Sequence, residues 1–594
     1  MPRDEVVIVR RDGPDGREEY VQQRRRDGSR DGRNDRPQSR DGRLNAGRDE
    51  RPRSRDGRLG DRLEVSEYRE RSRDDRSRSR DGQYEERETY DRDVAVLVDR
   101  AGSMQIRDGE RGGRDRVDRE GERVCPRRYT SQPYKRLIIC ADGTWLDSDN
   151  GNLNGEIPTP SNVTRLARAI KAESDDNVPQ VVSYHSGVGS HGSIINRVVA
   201  GAVGVGLAEN VRESYSFLAN NYTPGDEIFI FGFSRGAFTA RSIAGLIGAV
   251  GLLTKRGLPY LPEIFRDVRH RHDPHYQPMT PDQPYKNKPS ASDPSYKDGL
   301  ARRGMTILDV DIKVVGVWDT VGSLGLPRIP VLTRIGIQGD ESREMSFWDT
   351  KLSDCIENAF QALALEERRT AFAPAVWEKP RGNRTRLRQV WFPGVHSNVG
   401  GGLDDQNLAN ISLAWMLSQI APFLDIQTGY IRDQAIDNHQ YYLTTGRKPR
   451  PWGFGKITNS MKGVYAIGGG TARHPGEYYA VDKDGHISDR PLRDTHEYVH
   501  ASVRVRMVCR GPGVDDNGPY DPDGLADWKL VVEYPDGPRG RPEVYWRARF
   551  EERNVSTRVL PEAPLWGMER ELLGFDREME RVVLWPERTG RRGG

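Results

Sequence analysis

The chain has 594 residues, of which 35% are hydrophobic and 30% charged, with a formal net charge of +3 and a mean hydropathy of −0.78. It is long for one domain and too polar for a single core along its whole length, and no apolar run approaches the roughly 20 residues needed to cross a bilayer. The start, MPRDEVVIVRRDG, has neither an apolar h-region nor a small-residue cleavage site. Cys125, Cys140, Cys355 and Cys509 lie far apart and in no metal-type spacing. That argues against a disulfide framework or a zinc site and predicts a reduced, intracellular, cytoplasmic protein.

Residues 1–120 hold 32 Arg against 31 Asp plus Glu, and the first lysine is Lys135. Such a polyampholyte cannot bury enough apolar surface to offset its ordering entropy, so residues 1–132 read as a disordered low-complexity tail. Its Arg-Asp-Gly units, among them Arg11-Asp12-Gly13 and Arg55-Asp56-Gly57, recur at irregular intervals with no apolar face. Arg76-Ser77-Arg78-Ser79-Arg80 suggests RNA binding, but acidic residues match the arginines nearly one for one. Phosphate attraction is thereby cancelled, and no nucleic-acid partner is expected. Only Val94-Ala95-Val96-Leu97-Val98 offers the tail a place to dock locally.

From about Tyr134 the texture changes. Leu137-Ile138-Ile139-Cys140 reads as a buried strand ending at Asp142-Gly143. Ser161 or Asn162 caps a helix carrying Val163, Leu166, Ala167 and Ile170. A strand at Val181 to Tyr184 follows, then a helix with Leu207, Val211, Tyr215 and Leu218, then the strand Glu227 to Phe231. Further strands read at Ile312 to Trp318 and Leu387 to Phe392, and helices at Cys355 to Glu367 and Leu408 to Ile420. This alternation predicts an α/β fold, a mostly parallel sheet with helices on both faces, over residues 133–430. Residues 257–303 read as a long insertion with little periodicity. Residues 431–594 read as a β-containing extension packed on the first unit, with no strong helix and with strands at Glu497 to Met507, Trp528 to Glu533 and Glu543 to Phe550.

The strongest chemical signal is Gly232-Phe233-Ser234-Arg235-Gly236 between an apolar strand and a helical run. A serine there sits on a sharp, strained turn, and Gly232 and Gly236 let strand and helix approach. Ser234 is the predicted nucleophile. The N–H of Arg235 faces a developing oxyanion at the helix start, with Gly143 or Thr144 as the second donor. Asp319, after the strand ending at Trp318, is the predicted acid, with Asp404 or Asp405 in reserve. His396, before the glycine run Gly400-Gly401-Gly402, is the predicted base and is favoured over His500, which leads into a strand-like run. His270, His272 and His275 have no second ligand cluster nearby and read as solvated, so neither a metal nor a cofactor is expected.

Taken together, Asp142-Gly143-Thr144-Trp145, Pro160-Ser161-Asn162-Val163, Gly187-Val188-Gly189, Gly232-Phe233-Ser234-Arg235-Gly236-Ala237, Trp318-Asp319-Thr320-Val321-Gly322 and His396-Ser397-Asn398-Val399-Gly400-Gly401-Gly402 resemble the DUF2235 family. That family includes the α/β-hydrolase catalytic domain of type VI secretion phospholipase effectors. The resemblance covers roughly residues 134–430 and implies Ser234 as nucleophile, Asp319 as acid and His396 as base. It also implies a serine hydrolase of acyl esters, lipid or phospholipid foremost, and with that substrate a peripheral membrane contact. The tail lies outside it and looks like that of a fungal protein.

Two other functions compete. Cys140-Ala141-Asp142-Gly143-Thr144 is similar to the D-x-D-G-T of aspartyl-phosphate phosphatases, but Cys140 stands where their nucleophile belongs. A non-catalytic hydrolase-like scaffold, with the tail recruiting partners, is the alternative. Because the tail lacks any core-forming pattern, removing residues 1–130 should leave the melting temperature and esterase turnover unchanged; aggregation of the shortened chain would refute this.

Overall fold

The structure is a computed structural model that describes residues 6–12, 18–24, 133–143, 159–187, 203–321, 352–462, 470–481, 487–549 and 557–587. Two compact units divide the chain at Ser79. In the first, Val6–Asp12 pairs antiparallel with Glu18–Arg24, two strands where the sequence predicts none. The β-branched run Val6-Val7-Ile8-Val9 supplies the propensity. The rest of the predicted tail, the Val94 to Val98 run included, lies outside the described residues.

The second unit is built on a seven-stranded sheet. Its strands are β1 (Arg136–Ala141), β2 (Gln180–His185), β3 (Glu227–Phe233), β4 (Ile312–Trp318), β5 (Ile356–Ala364), β6 (Arg386–Phe392) and β7 (Glu497–Val499). They lie in the order β7-β6-β5-β4-β3-β1-β2, and every pair is parallel. The principal helices are α1 (Asn162–Ala169), α2 (Val203–Asn221), α3 (Arg235–Val250), the single turn α4 (His396–Gly400) and α5 (Asn407–Ile420).

Side chains alternate along a strand, and here the alternation divides the core into two layers. Leu137, Ile139, Ile228 and Ile230 pack with Val211 and Tyr215 of α2 and Ala240 and Ile243 of α3. Ile138, Cys140, Phe229 and Phe231 face the opposite way, toward Val163 and Leu166 of α1 and Trp415 of α5. Both faces being covered, the strands read as continuous apolar runs. Ser161 caps α1 as predicted, its Oγ accepting from Thr164 N at 3.1 Å.

Three expectations need correction. Cys355 to Glu367 is not a helix: Ile356–Ala364 is the strand β5, between β4 and β6. Its apolar positions Ile356, Ala359, Phe360 and Leu363 match a helical spacing, but a strand buried on both faces needs no alternation, and pairing on both edges decides the outcome. Glu497 to Met507 is a strand only as far as Val499; Ala501–Val508 is a helix capped by His500. The stretch beyond 430 also holds the helices Tyr430–Thr444, Gly567–Leu573 and Arg577–Leu584 beside the antiparallel sheet Trp528–Glu533, Glu543–Ala548 and Val559–Pro561. Their buried faces are narrow, such as Met579 and Val583 in Arg577–Leu584, which leaves little periodicity to read.

The insertion is ordered around one carboxylate. Asp267, on the helix Leu261–Arg269, accepts from Tyr276 at 3.1 Å and Tyr296 at 2.7 Å and pairs with Lys288. Among the described residues no helix is long and apolar enough to cross a membrane. Trp415 of α5 meets Phe360 and Phe392 edge-on, at 6.4 and 5.7 Å between ring centroids. Trp415→Ala should cost about 3–5 kcal/mol in a urea melt, because the cavity lies between helix and sheet and cannot collapse.

Candidate active site

Ser234 stands between β3 and α3 with φ 58° and ψ −121°. A positive φ is uncommon outside glycine and costs strain, and the surroundings over-determine it. Ser234 N donates to Trp318 O at 3.1 Å, continuing the β3–β4 register into the turn. A Cβ at Gly232 would overlap the Gly236 carbonyl, and one at Gly236 would overlap the Ala141 carbonyl. Both glycines are required by backbone approach, as the sequence predicts.

One strand over, Asp319 follows β4 and is fully buried. Its N–H donates to Ala362 O at 2.7 Å. The carboxylate accepts from His396 Nδ1 at 2.6 Å, from Ala364 N at 2.9 Å, and from the two ends of the Arg473 guanidinium at 2.5 and 3.1 Å. Burial alone would raise this carboxyl, but Arg473 and His396 outweigh it and hold the group well below the usual carboxylate range. An ionised carboxylate only accepts, so Nδ1 of His396 is the donor in this bond.

His396 opens α4 directly after β6 and Pro393-Gly394-Val395. Its ring lies 4.6 Å from the Phe233 ring and 4.8 Å from that of Phe372. A Cβ at Gly400 would overlap the Phe233 ring, so α4 sits hard against the residue preceding Ser234. Glu367 Oε2 accepts from the His396 backbone N–H at 3.3 Å, while Ser460 and Arg369 hold the rest of that carboxylate. The structure thus joins Asp319 to His396 directly and brings the imidazole to the β3 end that bears Ser234.

The rivals are engaged elsewhere. His500 is fully buried, its Nδ1 accepting from Ser502 N at 3.2 Å and its Nε2 donating to Glu569 at 2.9 Å, which leaves neither nitrogen for a nucleophile. Asp404 accepts from Thr159, and Asp405 from Tyr442 and Lys456. His270 stacks on Tyr276, and among the described residues no group of His, Cys, Asp and Glu could hold a metal ion.

The oxyanion assignment changes in one respect. Gly143 N–H donates to Asp142 Oδ1 at 2.6 Å, so it is turned toward its own neighbour and away from a reacting carbonyl. Thr144 lies outside the described residues, and Arg235 is the first residue of α3. Asp142 also accepts from Ser161, Thr164 and Tyr184 at 2.7 to 2.8 Å; burial raises its carboxyl while these donors pull it down. The Cys140 thiol is pushed far up by burial and then by the Asp142 charge, which suits a core side chain.

Sequence reasoning missed Arg473 and Glu367. Arg473 carries no local motif and arrives 154 residues after its partner; Glu367 falls at the end of the helix predicted over Cys355 to Glu367.

Residues 135–419 match the family described as T6SS, Phospholipase effector Tle1-like, catalytic domain. The likeness spans just under half of the chain. The Uncharacterized protein YEL023C of Saccharomyces cerevisiae is 28% identical over 260 residues, 41% of this chain. The chain spans only 32% of that yeast protein. Two solved structures also align with parts of the chain. An uncharacterized protein from Pseudomonas aeruginosa is 16% identical, with a TM-score of 0.28 over 54% of this chain and 52% of the other. The Tle1 effector bound to the VgrG spike of the type VI secretion system is 20% identical, with a TM-score of 0.23 over 46% and 52%.

Asp319→Asn removes the charge opposite a buried guanidinium. The variant should lose about 3–5 kcal/mol in a urea melt, the cost of leaving Arg473 unpaired; unchanged stability would mean that the pair is solvated.

Proposed function

We propose that this protein is a serine hydrolase of acyl esters, phospholipid or a related lipid foremost, working through Ser234, His396 and Asp319. The observation that carries the reading is the buried Asp319–His396 hydrogen bond beside the strained turn at Ser234. His396 Nε2 takes the Ser234 proton as Oγ bonds to the acyl carbon. The tetrahedral oxyanion meets the Arg235 N–H at the start of α3. Collapse breaks the acyl C–O bond, and His396 returns the proton to the leaving alcohol. A water deprotonated by His396 then cleaves the acyl-enzyme.

The substrate class rests on the Tle1-like match, whose family carries phospholipase in its description. A lipid substrate entails approach to a membrane surface, since its acyl carbonyl lies at the interface. Asp319 stays ionised under mildly acidic conditions, so activity at pH 5 to 6 should not be limited by that carboxylate.

A fluorophosphonate probe on the full chain, followed by a panel of phospholipids and short-chain esters, tests the reading. Wild type should label; Ser234→Ala should not, and its turnover should fall by about 10⁴-fold or more, with His396→Ala adding no further loss in the double variant. Equal labelling of Ser234→Ala would remove the nucleophile. A folded wild-type chain that turns over no acyl ester would favour the binding scaffold.

A further inference from the structure

Asp319 reaches His396 with one oxygen, yet it is gripped on both. Arg473, 4% exposed, presents its guanidinium as a fork to the two carboxylate oxygens. The same two nitrogens donate to Ala364 O at 2.7 Å and Phe372 O at 2.6 Å. Those carbonyls belong to the end of β5 and to the turn Thr370–Phe372, whose aromatic ring lies edge-on against His396. One side chain therefore fixes the acid, the strand beside it and a wall of the imidazole pocket. Bidentate geometry of this kind is particular to arginine and is lost with lysine.

We propose that Arg473 is a positioning residue for the reaction: its guanidinium keeps Asp319 ionised and its carboxylate in one orientation, so that His396 holds a single tautomer aimed at Ser234. The proposal rests on the triad reading above. The local charge balance supports it. Two carboxylates, Asp319 and Glu367, face two guanidiniums, Arg473 and Arg369, around the imidazole. Tyr478 faces Arg473 as a phenol whose ionisation burial opposes. Glu497, whose carboxyl burial raises, faces Tyr478 and accepts from Gly476 N and Trp391 Nε1. Glu366, pushed up to about 7 by burial, bonds Tyr520 and the Gly394 N–H of the loop before α4. Removing Arg473 leaves the two carboxylates nearest His396 against one cation. The Asp319–His396 pair then takes up a proton at higher pH, which silences the base.

The test uses the full chain with Arg473→Met, which keeps length without charge, and Arg473→Lys. The first readout is the pH profile of kcat/KM on a p-nitrophenyl ester. The second is the downfield proton signal of the Nδ1–H···Asp319 hydrogen bond, followed in a Ser234→Ala background. Arg473→Met should move the acidic limb, and the pH at which the signal is lost, upward by about 1 to 3 units, with kcat reduced roughly tenfold or more. Arg473→Lys should return the limb toward wild type while kcat stays several-fold low. A limb and signal within a few tenths of wild type in Arg473→Met, with loss confined to the melting temperature, would overturn the proposal. Should Arg473→Met not fold, Arg473→Lys with wild-type kcat would overturn it equally. A wild type without esterase turnover, but whose signal shifts in Arg473→Met as stated, would sink the triad reading and leave the Arg473–Asp319 coupling standing.

Discussion

A carboxylate with no exposure to water at the end of a central strand must be neutralised, paired or surrounded by donors. Asp319 is paired and surrounded, and much of the molecule follows from that. Its partners come from β5, from the loop after β6 and from the stretch beyond 430, so three separate parts of the chain converge on one side chain. Fully satisfied, such a cluster rigidifies its neighbours; half-satisfied, it would be a liability. The stretch beyond 430 is therefore no appendage. It delivers the sheet's edge strand β7 and the guanidinium that makes the buried acid tolerable.

A second carboxylate at the same edge of the sheet is handled by different means. Asp142 meets hydroxyls and one backbone N–H where Asp319 meets a guanidinium. Its partners Ser161 and Thr164 sit at the N-terminus of α1, and the adjacent Asn162 donates to Val399 O and Ala409 O, binding α1 to α4 and α5. Ser161 also bridges to Gly401. Asp142 thus acts as a hub joining the start of the β1 loop to the element that carries His396. That gives the Asp142-Gly143-Thr144 motif a mechanical meaning independent of phosphoryl chemistry.

Much of this was legible in the residues themselves. Strand–glycine–serine–glycine–helix announces a turn that only a narrow set of side chains tolerates, and an acid ending one strand with a histidine on a glycine-rich loop after another is a pattern local enough to read. What escaped is non-local. Arg473 has meaning only through a partner 154 residues away. The strand β5 hid because apolar residues on both its faces fit a helical spacing equally well, and only the presence of β4 and β6 on either side decides between the two. His500 was read within a strand, yet the backbone leaves the sheet there and the imidazole caps the next helix. Arg504 and Arg506 of that helix are buried, each pairing with carboxylate or carbonyl groups that no local window contains.

The long separation between Asp319 and Arg473 also has a meaning in time. A ribosome adds roughly 5–20 residues per second, and domains begin to fold from the N-terminal side as they emerge. The strands β1 to β6 and α5 are complete by Ile420, so a nascent chain has the sheet, the serine turn and the histidine loop before the guanidinium exists. During that interval of several seconds the acid at the end of β4 lacks its guanidinium partner, and the edge that β7 will cover is open. Synthesis itself therefore delays completion of this buried cluster: Asp319 gains its full set of partners only once Arg473 has been added.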